Sequence, residues 1–290
     1  MNESKIFSLI RMLNAMPFLE MVLIVMGSVI GVACVVMLGM HFFRKSNLES
    51  LRGFGYIGND LIAGLFGLLL AFLIISMYES NKSAEKSVNK EANDLVCILL
   101  ASQQLDNAAL ICKEVQIYRE TLLKKQWPDM VSGDLAAAWK LEPEMINPLY
   151  KLIQKSKSQQ GDESKFKETL PLLLQDLIAV HRLRLLQSNF HLPLQFWIII
   201  ILMTFFTICF LAYMNPWQGL HSFVPVLAPS LIISLSLALI VSLHFPFLGP
   251  SAVADTPFHR GYLMNFSSSY NDLNQSEEPK KLDSSSSTLH

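Results

Sequence analysis

One stretch of this chain limits its folding options more than any other. From Leu61 to Ile75 it carries no charged residue, and after Gly67 it has neither glycine nor proline until Pro128. The pattern predicts a single helix from Asn59 to about Leu105. Its 47 residues would extend about 70 Å as an α-helix, against about 30 Å for the hydrocarbon core of a bilayer. Only the first part fits inside a membrane, so the charged remainder, from Glu79 on, must stand in water.

The rest of the chain agrees with a membrane setting. It is 51% hydrophobic and only 16% charged, with a mean hydropathy of +0.36, and its apolar residues are clustered rather than spread. That is the composition of an integral membrane protein. A formal net charge of −1 and the lack of any basic patch interleaved with aromatics argue against nucleic acid as a partner. The cysteines, Cys34, Cys97, Cys112 and Cys209, form no C-x-x-C pair, and no histidine stands at metal-ligand spacing. They read as reduced, buried small hydrophobes, with no metal site and no cofactor expected. No H-E-x-x-H, G-x-S-x-G or P-loop is present and the histidines are scattered, so the chain does not read as an enzyme. His181, on an apolar helix face, reads as a core histidine, and His244 as an interfacial one.

The predicted fold class is an all-α membrane protein: four transmembrane helices, with a helical cytoplasmic bundle inserted between the second and third. Residues 1–17 form a partly amphipathic lead carrying Lys5 and Arg11. Residues 18–78 hold the first span, Phe18 to Met40, and the second. The first contains Gly27 and Gly31, a G-x-x-x-G that lets another helix approach closely, within one subunit or between two. His41 to Gly58 reads as a loop. Asn59 or Asp60 then suits the N-cap of the central helix, and a ring of such residues could also form a pore mouth.

Residues 79–192 are the helical bundle, with no strand-like alternation. Ala84, Val88, Ala92, Leu95 and Leu99 recur three or four apart as one buried stripe, leaving Glu85, Lys86, Lys90, Asn93 and Asp94 outside it. A second helix runs from Asn107 to Lys125 and ends before Trp127-Pro128. A third, Gly133 to Lys155, bends near Pro143 and Pro148, and Ser156 to Glu163 forms a polar, mobile loop. A fourth, Phe166 to Ser188, presents Leu174, Leu177, Ile178, His181 and Leu185 on one face.

Residues 193–248 hold the third and fourth spans, Leu194 to Tyr213 with Pro193 at its first position, and Phe223 to Phe245. Residues 249–264 follow the membrane, and the Ser-rich tail of residues 265–290 has too little to bury to be ordered. With four spans, both termini and the bundle share one side. Lys5, Arg11, Lys82, Lys86, Lys90, Arg182, Arg184 and Arg260 flank the spans there, against Arg44, Lys45 and Arg52 opposite. The positive-inside rule makes that side cytoplasmic, as for a protein of the bacterial inner membrane.

The order of these segments resembles the bestrophin-like family of bacterial and plant membrane proteins. Local matches run from Leu61 to about Phe258: Gly67-Leu-Leu-Leu-Ala-Phe72 leading into Glu91-Ala92; Tyr118 followed by Gln126-Trp127-Pro128-Asp129-Met130; His181-Arg182-Leu183-Arg184-Leu185; Pro193 with Trp197; and Pro246-Phe247-Leu248-Gly249. Each is short, and the resemblance lies in their order and spacing. Gln126 departs from it, standing where the family usually has Glu, and His244 and Phe245 stand where charged residues often precede the Pro-Phe.

By analogy with true bestrophins, which are pentameric anion channels with a hydrophobic neck on the second span, the resemblance implies a homo-oligomer in the lipid bilayer, of five copies, passing inorganic anions such as chloride. It implies a neck at Leu65, Leu68, Leu69 and Phe72, a mouth at Asn59 and Asp60, and a vestibule lined by Ser76, Glu79, Ser83, Lys86 and Lys90. A narrow apolar constriction gates by dewetting, and lysines beyond it raise the local anion concentration. Only Asp255 stands in the acidic position that calcium-activated members fill densely, so calcium gating is not expected. The alternative is a non-conducting oligomeric scaffold or sensor whose bundle binds a protein partner, since fold alone does not fix function.

Overall fold

The structure, a computed structural model, describes residues 3–43, 52–103, 105–156, 163–215 and 223–264; the side chains of residues 3–7, 41–43, 52–60 and 163–168 fall outside the description. Among the described residues the fold is almost wholly helical, with no strand. The chain forms α1 (Glu3–Asn14), α2 (Phe18–Phe43), α3 (Arg52–Ser102), α4 (Ala108–Thr121), a π-helical turn (Leu122–Gln126), α5 (Trp127–Ser132), α6 (Leu135–Lys140), α7 (Glu142–Lys155), α8 (Glu163–Ser188), α9 (Leu194–Met214), α10 (Val224–Ser242) and a 3₁₀ turn (Thr256–His259). Four stretches, Phe18–Met40, Leu61–Ser102, Leu194–Met214 and Val224–Ser242, are long and apolar enough to cross a membrane. The polar loop after Ser156, most of the turn before the fourth span, and the Ser-rich tail lie outside the described residues.

The chain divides into two compact units. One comprises Met1–Lys86 and Arg184–Val253, the other Ser87–Leu183 with the described residues from Ala254. In the first, α10 packs on both α2 and α9, and Phe66, Leu70, Leu73 and Met77 of α3 join the same core as Met21, Val25, Trp197, Ile200 and Ile233. These α3 positions recur at three and four residues, so they share one helix edge. A smaller core of Val29, Ala33, Met37, Ile208, Leu211 and Val226 continues along α2, α9 and α10.

Several helix ends depart from the sequence expectation. α3 starts at Arg52, so Asn59 and Asp60 lie inside it and are not its N-cap. A glycine in a helix interior costs only about 1 kcal/mol, whereas an apolar segment that leaves its backbone groups open loses several times that per group. Gly53, Gly55 and Gly58 therefore do not break the helix, and the expected loop shrinks to residues outside the description. Trp127-Pro128 does not end its helix either. In strict α geometry Pro128 would clash with the carbonyl four residues back; instead the helix widens over Leu122–Gln126, Trp127 N–H reaches Leu122 O, and the chain continues as α5. Such one-turn bulges are an identified way to carry a helix past an obstruction. Gly133, at φ 77°, then closes α5, and Asp134 Oδ1 caps α6 by accepting from Ala137 N–H at 3.0 Å. The break before Pro143 falls at Leu141, and Pro148 sits inside α7.

Other corrections concern burial. Pro193 is the N-cap of α9, with ψ 147°, rather than its first helical residue. The last span ends at Ser242, short of Phe245. Asp94 is buried rather than outside the stripe, because α3 is enclosed over a wider arc below Ser87 than one stripe implies. His244 is fully buried rather than interfacial, edge-on to Trp197 and Phe245 at ring separations of 5.5 and 4.5 Å. Arg184 is fully buried too, and so is no headgroup-facing charge. Gly27 and Gly31 have open space where a Cβ would stand, so among the described residues no helix approaches closely there. The four cysteines are free and half-buried.

Candidate functional site

On α3, Leu65, Leu68 and Phe72 are 56%, 68% and 68% exposed. At 3.6 residues per turn they centre about 135° round the helix from the edge formed by Phe66, Leu70, Leu73 and Met77. Leu69 lies nearer that edge and packs partly against the core. Further along, Glu79, Ser83, Lys86 and Lys90 are exposed and Ser76 is half-buried. Ser83 Oγ accepts from Gln187 Nε2 of α8 at 3.0 Å. Lys82, one position aside, pairs with Glu85 at 2.7 Å and lies over the Tyr78 ring. The side chains of Asn59 and Asp60 fall outside the description. One helix face thus carries large apolar groups for two turns and then hydroxyl and charged groups.

A second constellation lies in the unit that begins at Ser87. Glu91 of α3, Tyr118 of α4, Gln126 of the π turn and His181 of α8 are all buried. Gln126 Nε2 donates to Ala138 O at 3.0 Å and lies 3.2 Å from His181 Nε2. A carbonyl only accepts, so the Gln126 amide must present N–H there, and its second N–H meets His181 Nε2. That nitrogen is therefore the acceptor, and the ring proton sits on Nδ1. Nδ1 in turn lies 2.7 Å from Tyr118 Oη and 3.1 Å from Glu91 Oε1, and Tyr118 Oη donates to the same Glu91 oxygen. The π turn is what aims Gln126: it offsets the helix by one residue just where that side chain must reach α6 and α8. No His/Cys/Asp/Glu cluster able to hold a metal ion occurs among the described residues.

The Bestrophin-like domain profile matches residues 26–258. The chain belongs to the bestrophin-like family. Comparison with curated proteins and with solved structures found no match. Membership, with four apolar helices, makes this a bestrophin-family membrane protein.

The buried network joins motifs that carry the bestrophin-like resemblance. Glu91, Tyr118, Gln126 and His181 come from three separate motifs of that resemblance, and they meet within hydrogen-bond distance. Sequence reading placed His181 in a core but missed that the motifs converge. The available signal was that each holds one buried-capable polar residue beside apolar helix positions. The Pro246-Phe247-Leu248-Gly249 motif has its own reason: Gly249 adopts φ +100°, and a Cβ there would run into Asn14 Oδ1.

Beyond the last span, Phe258 is fully buried. Arg119 Nε donates to Phe258 O at 2.6 Å, and the Trp127 ring meets the Phe258 ring edge-on at 6.4 Å. Burial lowers the Arg119 pKa from its ordinary value. Gln103 Nε2, just past the end of α3, donates to Tyr262 Oη at 2.6 Å, so Phe258 and Tyr262 are seated against α4, α5 and the turn after α3.

Proposed function

We propose that this chain is the subunit of a homo-oligomeric, pentameric anion channel, with α3 lining the path and a neck at Leu65, Leu68, Leu69 and Phe72. The reading rests on family membership and on one observation. Leu65, Leu68 and Phe72 stand off the core of the spans on a face that continues into Glu79, Ser83, Lys86 and Lys90. An apolar ring followed by cationic groups is the arrangement that gates by dewetting and concentrates anions. In this reading α4 to α8 are cytoplasmic, chloride is the working ion and a bacterial inner membrane the setting.

Chloride efflux from liposomes, comparing wild type with Phe72→Ala at matched incorporation, tests it. Flux that rises on truncation of Phe72 supports the neck. No flux from either protein, with oligomers intact, moves the assignment to a non-conducting scaffold whose helical unit binds a protein partner.

A further inference from the structure

We propose that α1 is an interfacial anchor: its Leu9–Met12 edge lies in the headgroup–acyl boundary of the bilayer, and Asn14 clamps the helix to the turn that follows the last span.

The argument starts from position. Only Ala15, Met16 and Pro17 separate α1 from the first residue of α2, so α1 sits at the level where the first span begins. It also packs on the far end of the fourth. Asn14, fully buried, donates Nδ2–H to Leu248 O at 3.0 Å and occupies the space where Gly249 lacks a Cβ. With an even number of spans, the start of the first and the end of the fourth share one membrane face. The two ends that α1 touches therefore mark one boundary plane.

The helix is two-sided at that level. Ile10 and Leu13 face inward, in the core that holds Met21, Phe66 and Trp197. Leu9 and Met12 face out, 59% and 61% exposed. Phe18, Leu19 and Leu23, at the start of α2 just beyond the three-residue link, are exposed too, on a span that the bilayer must cover. An apolar edge at the level where a lipid-covered span begins has lipid as its occupant. Arg11 lies between the two edges, half-buried, its guanidinium 5.9 Å from the Phe245 ring centroid. An amphipathic helix with a basic residue at its flank is suited to lie in the interface plane, its apolar edge about 5–10 Å below the headgroups. A cation held at that level favours anionic lipid.

The test places a fluorescent amino acid at position 9 or 12 of the full chain, leaving the native cysteines untouched. The protein is reconstituted in phosphatidylcholine vesicles with a fraction of phosphatidylglycerol. Quenching by lipids with a nitroxide near the start of the acyl chain is compared with quenching by aqueous iodide. A probe at Leu110, exposed on α4, serves as the control. The expected result is nitroxide quenching several-fold stronger at 9 and 12 than at 110, with the iodide order reversed. Strong iodide quenching at 9 and 12 would overturn the proposal, and so would shielding from both quenchers, which would mean that a second copy covers α1. Asn14→Ala supplies the second readout: loss of the clamp should raise iodide quenching at position 12, and unchanged quenching would overturn the clamp.

Discussion

Tyr118 Oη lies 2.7 Å from His181 Nδ1, and Glu91 Oε1 is within hydrogen-bond reach of both. Three helices distant in sequence therefore share one buried polar contact, with Gln126 fixing the histidine from the other side.

Removing one member should expose how tightly this network is coupled. Tyr118→Phe deletes the hydroxyl between two buried groups and should cost about 1–3 kcal/mol. Gln126→Leu, which strips a partner from both Ala138 O and His181 Nε2, should cost a similar amount. The double variant should lose less than the sum, since both changes act through one imidazole. Thermal unfolding in detergent reads all three, and strict additivity would show that the contacts are independent.

Gly249→Ala should be disruptive for two separable reasons. It forces a side chain into φ +100° and drives a methyl into Asn14. Together these should destabilise the protein by about 2–4 kcal/mol. Asn14→Ala in the same chain removes the side-chain part of the clash but neither the contact with the Asn14 carbonyl oxygen at 2.8 Å nor the backbone strain, so only part of the loss should return. Unfolding midpoints of the two single variants and the double one check this.

Acid should weaken the fold through His244, which lies beyond the end of the fourth span. Burial first, and nearby His191 second, lower its pKa from 6.5 to about 4. The folded protein thus holds fewer protons than the unfolded chain between those values, so this contribution is intact above pH 6.5 and is lost as the pH falls toward 4. The full loss is on the order of 3 kcal/mol. His244→Phe, which keeps the ring contacts with Trp197 and Phe245, should flatten the acid limb of a stability–pH profile. An unchanged limb would assign it to other groups.

If α3 lines an anion path, its charge should set the flux. Lys86→Glu with Lys90→Glu reverses two exposed charges on that face and should lower chloride efflux several-fold, most clearly at low ionic strength, where screening is weak. Glu120→Lys, exposed on α4 and paired with Lys124, should leave the flux unchanged.

The apolar runs made the four spans and the helical class legible, because backbone groups in hydrocarbon leave so few options. The 3.6-residue period likewise located Ala84, Val88, Ala92, Leu95 and Leu99, all buried in the structure. Helix ends were harder to read: Asn59 and Trp127-Pro128 carry strong local signals, but a continuing apolar segment and a π turn override them. Burial of polar side chains was harder still. Nothing near Asp94 or His244 in sequence announces the neighbours that enclose them. Glu91, Tyr118, Gln126 and His181 are spread over about ninety residues, so only the order of the motifs hinted at their meeting.

α3 is one unbroken helix of 51 residues, and its phase is kept throughout: Phe66, Leu70, Leu73 and Met77 fall on the same edge as Ala84, Val88, Glu91 and Leu95. Deleting a single residue between Glu91 and Leu95 would turn Leu95, Ile98 and Leu99 by about 100° relative to Glu91. Those three apolar side chains would then leave the core that Glu91 still faces, even though none of them had been substituted. The length of this helix can therefore change only in steps close to whole turns.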